Sequence, residues 1–507
     1  MDGTRVLGAS KVTTSLDVMS GLIAAARDAL ASSAVAAEDV RAAMVGTTHF
    51  TNALVERHGL LPTAVVRLGL PATTSVSPFA DWPADLVTAI GGTVRIAHGG
   101  NEFDGREIAP LDPHELRAIA RDLRAAGIRA LAVVGVFSPV TAAHERAAAA
   151  MLATGLPDAS ISLSHEVGRL GLLERENATA LNACLTALAS RVIDGIAAAL
   201  ADIAPAARLF LTQNDGTLLP ADLARRYPVR TIASGPTNSM RGAAFLSGVR
   251  DGIVVDIGGT TTDAGVIASG FPREVGVALR VAGVRTNFRM PDVFSLGLGG
   301  GSIVEADAPP RVGPRTGARV GPRSVGAALV RDARVFGGAT LTATDVAVAS
   351  GRARIGDPAR VREIDGALVR DAMDAIDRTL ADAIDRVKTA RGDVPVVLVG
   401  GGSVLAPRTI PGASRLVVPE HHAVANAIGA AIAEVSGEVD RVFPVTPDTG
   451  RERILATAKD EAVARAIEAG ADPARIELVE LEEVPLTYLP SNAVRVRAKV
   501  VGELRDG

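Results

Sequence analysis

The stretch that decides the fold is Ile253-Val-Val-Asp256-Ile-Gly-Gly-Thr-Thr-Thr-Asp263. In it, an apolar strand runs into an acidic residue, two glycines and a run of hydroxyl groups. Glycine lets the backbone approach a phosphate closely, and successive N–H groups in such a turn form an anion-binding nest. An aspartate at the strand end would repel a phosphate directly, so its presence fits a phosphate site only where Mg²⁺ or metal-bound water lies between the two groups. The pattern predicts a nucleotide site; a plain glycine hairpin with an Asx turn is the alternative.

Two further glycine clusters follow along the chain. Leu296-Gly-Leu-Gly-Gly-Gly-Ser302 lies soon after the first turn, and Val396-Val-Leu-Val-Gly400-Gly-Gly comes later, again at the end of an apolar strand. Alone, the last pattern is weak, because strand–Gly–Gly turns are common in α/β folds. The chain shows neither a Walker A pattern nor a Gly-x-Gly-x-x-Gly turn after its first strand.

Around these turns, short apolar runs alternate with stretches of helical periodicity, which is typical of α/β layering. Leu181, Leu185, Leu188 and Val192 form one stripe of a predicted long helix, and a second helix is predicted up to Val387. Strands are predicted over 64–68, 130–137, 253–256 and 394–399, and the tail is predicted as strand 442–445, helix 449–469 and strands 476–481 and 493–501.

Composition excludes several classes of protein. Of 507 residues, 48% are hydrophobic and 22% charged, so the chain has enough apolar material for folded domains. A net charge of −4 and 3% aromatic residues argue against nucleic-acid binding. The single cysteine, Cys184, excludes an intramolecular disulfide framework and a cysteine-based zinc or iron–sulfur site within one chain, and its apolar neighbours indicate a buried packing residue. No signal peptide or apolar run of about 18 residues is apparent, so we predict a cytoplasmic protein that does not enter a membrane.

The first and last glycine turns resemble the phosphate-2 and adenosine motifs of the actin/Hsp70/sugar-kinase ATPase superfamily. Within that superfamily the chain resembles the hydantoinase A/5-oxoprolinase family across about residues 40 to 430. The segments that carry this resemblance, in family order, are Val45-Gly-Thr-Thr-His-Phe-Thr-Asn52, Gly135-Val-Phe-Ser-Pro139, Ser164-His-Glu166, Leu173-Glu-Arg-Glu-Asn177, Ser234-Gly-Pro236, 256–263, 299–302, Thr344-Asp345 and 423–429.

The resemblance implies an α/β protein with two actin-like (ribonuclease H-like) ATPase domains and a cleft between them. The expected divisions are an N-terminal hydantoinase/oxoprolinase domain over 1–172, an ATPase domain over 173–437 and a small C-terminal α+β unit over 438–507. Members normally open with a strand and an Asp-x-Gly-Gly-Thr turn. Here Met1-Asp-Gly-Thr-Arg5 resembles the hairpin that follows it, so we expect a strand over 5–11 and about two missing strands upstream.

The function that the resemblance implies is ATP-dependent opening of a cyclic amide, hydantoin- or 5-oxoproline-like, through phosphorylation of the amide oxygen. ATP and Mg²⁺ are the expected cofactors, with Asp256 positioning the metal and Asp263 acting in acid–base chemistry or water orientation. A second hydantoinase-type subunit is the expected partner, and a homo-oligomer is possible. The expected nucleotide-binding residues are Gly258, Gly259, Thr260, Thr261, Gly300, Gly301, Gly400, Gly401 and Gly402; the expected substrate residues are Thr47, Thr48, Asn52, His165, Glu166 and Asn177.

Two other classes of function remain open. A small-molecule kinase would use the same phosphate machinery and release a stable phosphate ester. A reactivase-like ATPase would use ATP only to switch domain closure. Some of the polar candidates also have plainer readings: His421 and His422 fit a surface or helix-start position better than a metal site, and Asn177 fits a helix-start residue.

Overall fold

The computed structural model describes residues 1–12, 18–274, 279–287, 290–306, 317–443, 445, 450–486 and 493–505. The described chain is a mixed α/β structure whose helices cover several parallel and mixed sheets. Its helices are α1 Val18–Ser33, α2 His49–Glu56, α3 Ala84–Ala89, α4 Pro113–Ala125, α5 Ala143–Gly155, α6 Ser164–Val167, α7 Leu172–Ile203, α8 Ala221–Arg226, α9 Ser234–Ser247, α10 Leu329–Asp332, α11 Ala343–Ala349, α12 Gly366–Val387, α13 Ala425–Ala431 and α14 Arg451–Glu468. Its strands are β1 Ala42–Val45, β2 Thr63–Leu70, β3 Thr93–His98, β4 Ala130–Gly135, β5 Ser160–Leu163, β6 Arg208–Thr212, β7 Leu218–Pro220, β8 Gly252–Ile257, β9 Thr262–Ala268, β10 Phe271–Pro272, β11 Leu279–Val281, β12 Val284–Thr286, β13 Val293–Leu296, β14 Ser302–Ala306, β15 Ala318–Ser324, β16 Val394–Val399, β17 Ala413–Val417, β18 Val435–Phe443, β19 Ala471–Pro485 and β20 Val494–Leu504.

The sheet that carries the glycine turns has the order β10-β9-β8-β16-β17, and β13 also pairs with β9. Strands β8 and β9 form an antiparallel hairpin, whereas β8, β16 and β17 run parallel. The predicted strands 253–256 and 394–399 are confirmed, and the structure shows that they pair directly with each other. Because the carboxyl ends of β8 and β16 meet at one edge, the loops that follow them lie side by side.

A four-stranded parallel sheet, β3-β2-β4-β5, packs against α4 and α5 on one side and α7 on the other. Strand β2 is buried along nearly its whole length, as its aliphatic run predicts. On α7, Leu181, Leu185 and Ile193 are fully buried against this sheet. The predicted long helix is thus confirmed, and it separates this sheet from β6.

Within the described residues, α7 is the one helix that is long and apolar enough to cross a membrane by length and composition alone. The sequence shows no uninterrupted apolar run of this length, because Arg191 and Asp194 lie in the middle of the helix. Its apolar stripe faces the protein core, and this packing accounts for the composition. Cys184 lies on the same stripe as a free buried thiol, as predicted.

The C-terminal strands differ from the expected separate appendage. They extend a six-stranded sheet with the order β1-β6-β7-β18-β20-β19, so the tail shares one sheet with strands from the first half of the chain. The expected boundary at residue 438 falls inside β18, which pairs with β20 over its full length, from Val435 opposite Gly502 to Phe443 opposite Val494. Strand and helix types in the tail are confirmed, but β18 begins seven residues before the predicted strand.

At the N-terminus the expected strand over 5–11 is wrong. The structure has one isolated bridge between Asp2 and Arg5, followed by irregular chain up to residue 12. Lys11 is instead held near the glycine turns, where its Nζ donates to the carbonyl oxygen of Ala423 at 3.2 Å. Such a segment takes its conformation from tertiary contacts, which its own sequence pattern does not reveal.

Helices α9 and α13 cross in close contact. A Cβ on Gly242 would lie 1.9 Å from the carbonyl oxygen of Ala425, and a Cβ on Gly429 would lie 1.8 Å from that of Asn238. Only glycine at both positions lets the two helix backbones approach this closely. The crossing places the first half of α9 beside the end of β8.

Candidate functional site

The centre of the site is the hairpin between β8 and β9. Buried apolar residues hold β8 in the sheet up to Asp256, and the chain then turns through Gly258 to Thr261. The turn is closed by the Gly258 amide, which donates to the carbonyl oxygen of Thr261 at 2.8 Å. Gly259 and Thr260 are exposed, and no atom lies within 4 Å of where a Cβ on Gly259 would stand. The tip of this turn is open to a ligand.

All three glycine clusters meet at this hairpin. The Gly300 amide donates to the Gly258 carbonyl at 3.0 Å, and the Gly301 amide donates to the Gly259 carbonyl at 2.7 Å. From the other side, the Gly402 amide donates to the Ile257 carbonyl at 2.7 Å. The structure therefore brings together segments of the chain that the sequence could only align by resemblance.

Position 400 requires glycine for two reasons, its backbone conformation and the atoms that surround it. Its φ is +84°, a left-handed conformation that side chains rarely adopt. A Cβ there would lie 2.2 Å from Oδ1 of Asp256 and 2.4 Å from the carbonyl oxygen of Ile257. The turn after β16 thus rests directly on the carboxylate at the end of β8.

Two carboxylates stand side by side on the hairpin. Asp256 and Asp263 are register partners on the antiparallel strands β8 and β9. Burial raises the pKa of Asp256, although a hydrogen bond from Ser239 and the charge of Lys11 favour its ionised form. Burial also raises the pKa of Asp263; the nearby Asp256 charge raises it further, and a hydrogen bond from Ser295 opposes both. A cation between the pair would relieve this repulsion.

The raised pKa of Asp263 predicts how the stability of the folded protein changes with pH. Between the unfolded value of 3.8 and the higher folded value, the folded protein binds more protons than the unfolded one, so stability falls as pH rises through that window. We therefore expect Asp263→Asn to raise the melting temperature at pH 7, with the gain shrinking as pH falls towards 3.8.

Thermal unfolding followed across pH checks this expectation. Asp104→Asn is the control, because a hydrogen bond from Arg106 lowers the pKa of Asp104 and its replacement brings no gain at pH 7. A melting temperature that falls at pH 7 in Asp263→Asn would show that the carboxylate stabilises the fold.

The predicted substrate residues fall in different places. Thr47 and Thr48 lie in the loop that follows β1. This loop contacts α9, the helix that carries Ser239 beside Asp256, because a Cβ on Gly46 would lie 2.7 Å from Nδ2 of Asn238. Thr47 is buried and its Oγ1 pairs with Nδ1 of His49 at 2.7 Å, whereas Asn52 is exposed on α2.

Asn177 is buried and engaged at both ends of its amide. Its Oδ1 accepts from the Trp82 indole at 2.7 Å, and its Nδ2 donates to the Arg285 carbonyl at 2.9 Å. These contacts tie α7 to neighbouring segments. Asn177 is buried inside the helix, whose N-cap is Gly171, so it is not the exposed helix-start residue that the alternative interpretation expected.

His165 and Glu166 lie apart from the hairpin, on the wall of a cavity of about 410 Å³. Glu166 accepts from Arg226 at 2.8 Å and from the Tyr227 hydroxyl at 2.9 Å. His165 pairs through Nδ1 with Oε2 of the buried Glu145 at 2.5 Å. The sequence candidates thus divide between a glycine-turn site and this second cavity.

Three residues near the carboxylates were not predicted from the sequence: Ser239, Ser295 and Lys11. Ser239 could have been predicted, because it closely follows the Ser234-Gly-Pro236 segment that carries the family resemblance. Lys11 approaches Gly401, since a Cβ there would lie 2.6 Å from its Nζ. In the described part of the chain, no group of three or more His, Cys, Asp or Glu side chains is arranged to hold a metal ion alone.

The structure is a mixed α/β protein in which three glycine turns meet beside the carboxylates of Asp256 and Asp263. Family profiles described as "Hydantoinase/oxoprolinase" and "Hydantoinase/oxoprolinase N-terminal region" match residues 175–357 and 1–155. The chain belongs to the hydantoinase/oxoprolinase family.

Curated relatives include the caprolactamase subunit alpha of Pseudomonas jessenii, 31% identical over 53% of this chain and 37% of that protein. The acetophenone carboxylase gamma subunit of Aromatoleum aromaticum is 27% identical over 49% of this chain and 34% of that protein. The matched part of the chain thus spans little more than a third of the length of these relatives.

Two solved structures share the fold. The ATP-dependent caprolactamase of Pseudomonas jessenii superposes with a TM-score of 0.72 at 21% identity, covering 99% of this chain and 85% of that chain. Nucleotide-free acetone carboxylase superposes with a TM-score of 0.70 at 19% identity, covering 98% and 84%. At these identities the likeness establishes the shared mixed α/β architecture.

Proposed function

We propose that this chain is the ATP-using component of an amidohydrolase that activates a cyclic amide by phosphorylating its carbonyl oxygen. The observation that carries the proposal is the convergence of three glycine turns around the Asp256–Asp263 pair. Curated relatives named caprolactamase and 5-oxoprolinase support the amide as the reacting group. The word subunit in the names of two relatives supports a second, separate chain as partner.

The strand order supports an actin-like, ribonuclease H-like ATPase domain around the hairpin. In the sheet β10-β9-β8-β16-β17, three consecutive strands run antiparallel and two later strands add in parallel to the first. We propose that the six-stranded sheet belongs to the facing domain and that the α9–α13 crossing connects the two, with the cleft opening at the glycine turns.

The residues present fit Mg·ATP. The open tip at Gly259 offers backbone N–H groups to phosphate oxygens, with the Thr260 and Thr261 hydroxyls beside it. The two carboxylates supply hard oxygen ligands, and Mg²⁺ ordinarily completes its shell with water and substrate phosphates. When bound, the metal would neutralise charge that develops on the transferred phosphoryl group.

Each part of the chain has a defined task in the proposed reaction. Asp256 orients the metal, and Ser239 holds the Asp256 carboxylate in place. The turn at 400–402 passes beside the nucleotide, and Asp263 orients water or moves a proton. The amide oxygen would form a bond to the γ-phosphorus as the bond to ADP breaks. Water would then add to the activated carbon, and the ring C–N bond would break as the nitrogen takes up a proton, which leaves an acyl phosphate. A second water would attack the carbonyl carbon of this acyl phosphate and release phosphate and the opened acid.

Measuring ATP turnover with and without cyclic amides tests the proposal. We expect ADP and phosphate to form only when an amide is present and is opened. A stable phosphate ester as product would identify a small-molecule kinase, and turnover independent of any amide would identify a reactivase-like ATPase.

Lys11 gives a further prediction, because its ammonium group lies beside both Asp256 and Gly401. A cation there would attract nucleotide phosphates, so we expect Lys11→Met to weaken ATP binding about tenfold, the effect of one charge-assisted hydrogen bond. Calorimetric titration with a non-hydrolysable ATP analogue measures this loss. Lys459→Met, on the exposed face of α14, is the matched control; equal affinities of the two variants would remove Lys11 from the site.

A further inference from the structure

The cavity beside His165 and Glu166 is formed by parts of the chain that are distant in sequence. Its walls come from α5 and α6, the turn between β6 and β7, α8 and the segment after it, strand β18 and the end of α14. Its volume of about 410 Å³ lies in the range of sites for small organic ligands. None of the described residues that line it belongs to the glycine turns, so a ligand here would bind apart from the nucleotide.

Most of the carboxylates that line this cavity are neutralised by cationic partners. The ion pairs, with their N–O distances, are Glu438 with Arg169 (3.0 Å) and Arg497 (2.8 Å), Asp440 with Arg169 (3.2 Å) and Arg495 (2.6 Å), Asp215 with Lys499 (2.7 Å), and Glu166 with Arg226 (2.8 Å). Only Glu468, exposed at the rim, has no such pair in the described part of the chain.

Three of the lining arginines, in contrast, have no carboxylate partner among the described residues: Arg146, Arg230 and Arg465. Two of them are nevertheless held in place by backbone carbonyl groups. Arg230 donates from Nη2 to the carbonyl oxygen of Glu166 at 2.9 Å, and Arg465 donates from Nη1 to that of Glu438 at 2.5 Å. A carbonyl oxygen orients a guanidinium group but leaves its positive charge uncompensated.

The charges of Arg230 and Arg465 also repel each other. Burial lowers the pKa of Arg230, and the Arg465 charge lowers it further, although the Glu438 and Asp215 carboxylates oppose this change. An anion bound beside the two guanidinium groups would relieve the repulsion. Arginine presents several N–H donors in a fixed plane, a geometry that matches the oxygens of a phosphate group. The cavity therefore has the groups that recognise a phosphate.

The same wall contains a nitrogen atom that lacks a hydrogen-bond partner. Glu145 is buried and accepts hydrogen bonds from the Gly135 amide at 2.7 Å, the Ser164 hydroxyl and Nδ1 of His165. Burial would raise the pKa of Glu145, but these donors outweigh it and the pKa is lowered.

Because an ionised Glu145 requires the proton on Nδ1 of His165, Nε2 of the same ring carries a lone pair. Within the described chain this Nε2 is buried without a partner. Buried polar atoms normally form a hydrogen bond, and the hydroxyl group of an organic ligand would supply the donor that is missing here.

We propose that this cavity binds a small hydroxylated phosphate monoester, with Arg230 and Arg465 holding the phosphate and Nε2 of His165 accepting a hydrogen bond from a hydroxyl group. Leu219 and Leu223 offer apolar surface to the carbon chain of the ligand. This compound is additional to the ATP and the amide of the proposed reaction, and it binds without any bond being made or broken.

Three probes separate the two contacts in calorimetric titrations of the full chain. Glycerol 3-phosphate carries both phosphate and hydroxyl groups, propyl phosphate has the same carbon chain without the hydroxyl groups, and glycerol has the hydroxyl groups without the phosphate. We expect the wild-type protein to bind glycerol 3-phosphate about a hundredfold more tightly than glycerol and about fivefold more tightly than propyl phosphate. Saturating Mg²⁺ and a non-hydrolysable ATP analogue are present, so that the phosphate contacts of the glycine turns are occupied.

Two arginine variants test the phosphate contact. Arg230→Gln and Arg465→Gln are each expected to weaken both glycerol 3-phosphate and propyl phosphate about tenfold. Arg465 is exposed on α14, so its variant provides the test even if Arg230→Gln does not fold. Arg225→Gln on α8 is the matched control, because Arg225 pairs outside the cavity with Asp194 and Asp222.

His165→Asn tests the hydroxyl contact, since an asparagine amide still donates to Glu145. We expect this variant to bind glycerol 3-phosphate no more tightly than propyl phosphate, with the affinity for propyl phosphate unchanged. A preference for glycerol 3-phosphate that persists in His165→Asn would overturn the hydroxyl contact.

Other results overturn the whole proposal: equal affinity for glycerol 3-phosphate and glycerol, no binding of any probe by the folded protein, unchanged affinities in both arginine variants, or displacement of glycerol 3-phosphate by the ATP analogue. The last result would place the phosphate at the glycine turns. Failure of the ATP analogue to bind, with the arginine and histidine pattern intact in its absence, would refute the proposed function alone.

Discussion

Replacing Asp256 by asparagine is expected to reduce amide-dependent ATP turnover by roughly a hundredfold or more, because the charge that orients the metal is lost. The fold should persist, since burial already disfavours the charged form of Asp256 and its pKa is raised. The melting temperature at pH 7 is therefore expected to stay equal to that of the wild type or to rise.

Turnover and thermal unfolding of Asp256→Asn are measured together with those of Asp251→Asn. Asp251 is exposed just before β8 and accepts from the Ser269 amide, a contact that asparagine retains. Retention of more than about a tenth of wild-type turnover by Asp256→Asn would remove the residue from the metal role.

The second large effect is expected from Gly400→Ala. The new Cβ would collide with Oδ1 of Asp256 and the Ile257 carbonyl, and alanine would have to adopt a φ of +84°. The left-handed conformation and the forced backbone shift together should cost about 2–4 kcal/mol of stability. Because the collision displaces Asp256 itself, nucleotide binding should fall even where the variant remains folded.

Chemical denaturation and nucleotide titration of Gly400→Ala measure the two effects. Gly392→Ala, in the loop before β16, is the control because no atom lies within 4 Å of its added Cβ. If Gly400→Ala kept wild-type stability and nucleotide affinity, the close approach of the two turns would be wrong.

The parts of the fold that could be predicted from sequence are those whose patterns are local. The apolar runs that end at Gly258 and Gly400 predict buried strands followed by turns. The apolar residues of α12 recur every three or four positions, which predicts a helix. Strand β18 begins earlier than predicted because Ser436, Glu438 and Asp440 interrupt its apolar pattern; pairing along β20 holds these residues in the strand.

The glycine-turn site was largely predictable because each of its three segments carries its own signal. The residues that line the cavity could not be predicted from the sequence, apart from His165 and Glu166. Arg146, Arg230 and Glu438 lie in unrelated surface-like stretches, and their juxtaposition depends on the six-stranded sheet that joins the tail to the first half of the chain. Lys11 was missed for the same reason, since its position is set by contacts with residues about 400 positions away.

The most direct test of the central claim follows one oxygen atom. A cyclic amide that gives amide-dependent turnover is prepared with ¹⁸O in its carbonyl group and incubated with ATP and the purified protein. The labelled oxygen joins carbon to phosphorus after phosphorylation and stays in the acyl phosphate when the ring opens. Attack of the second water on the carbonyl carbon then breaks the carbon–oxygen bond, so the released phosphate is expected to contain one ¹⁸O atom per turnover. Phosphate free of label, with the ¹⁸O retained in the opened product, would contradict the account.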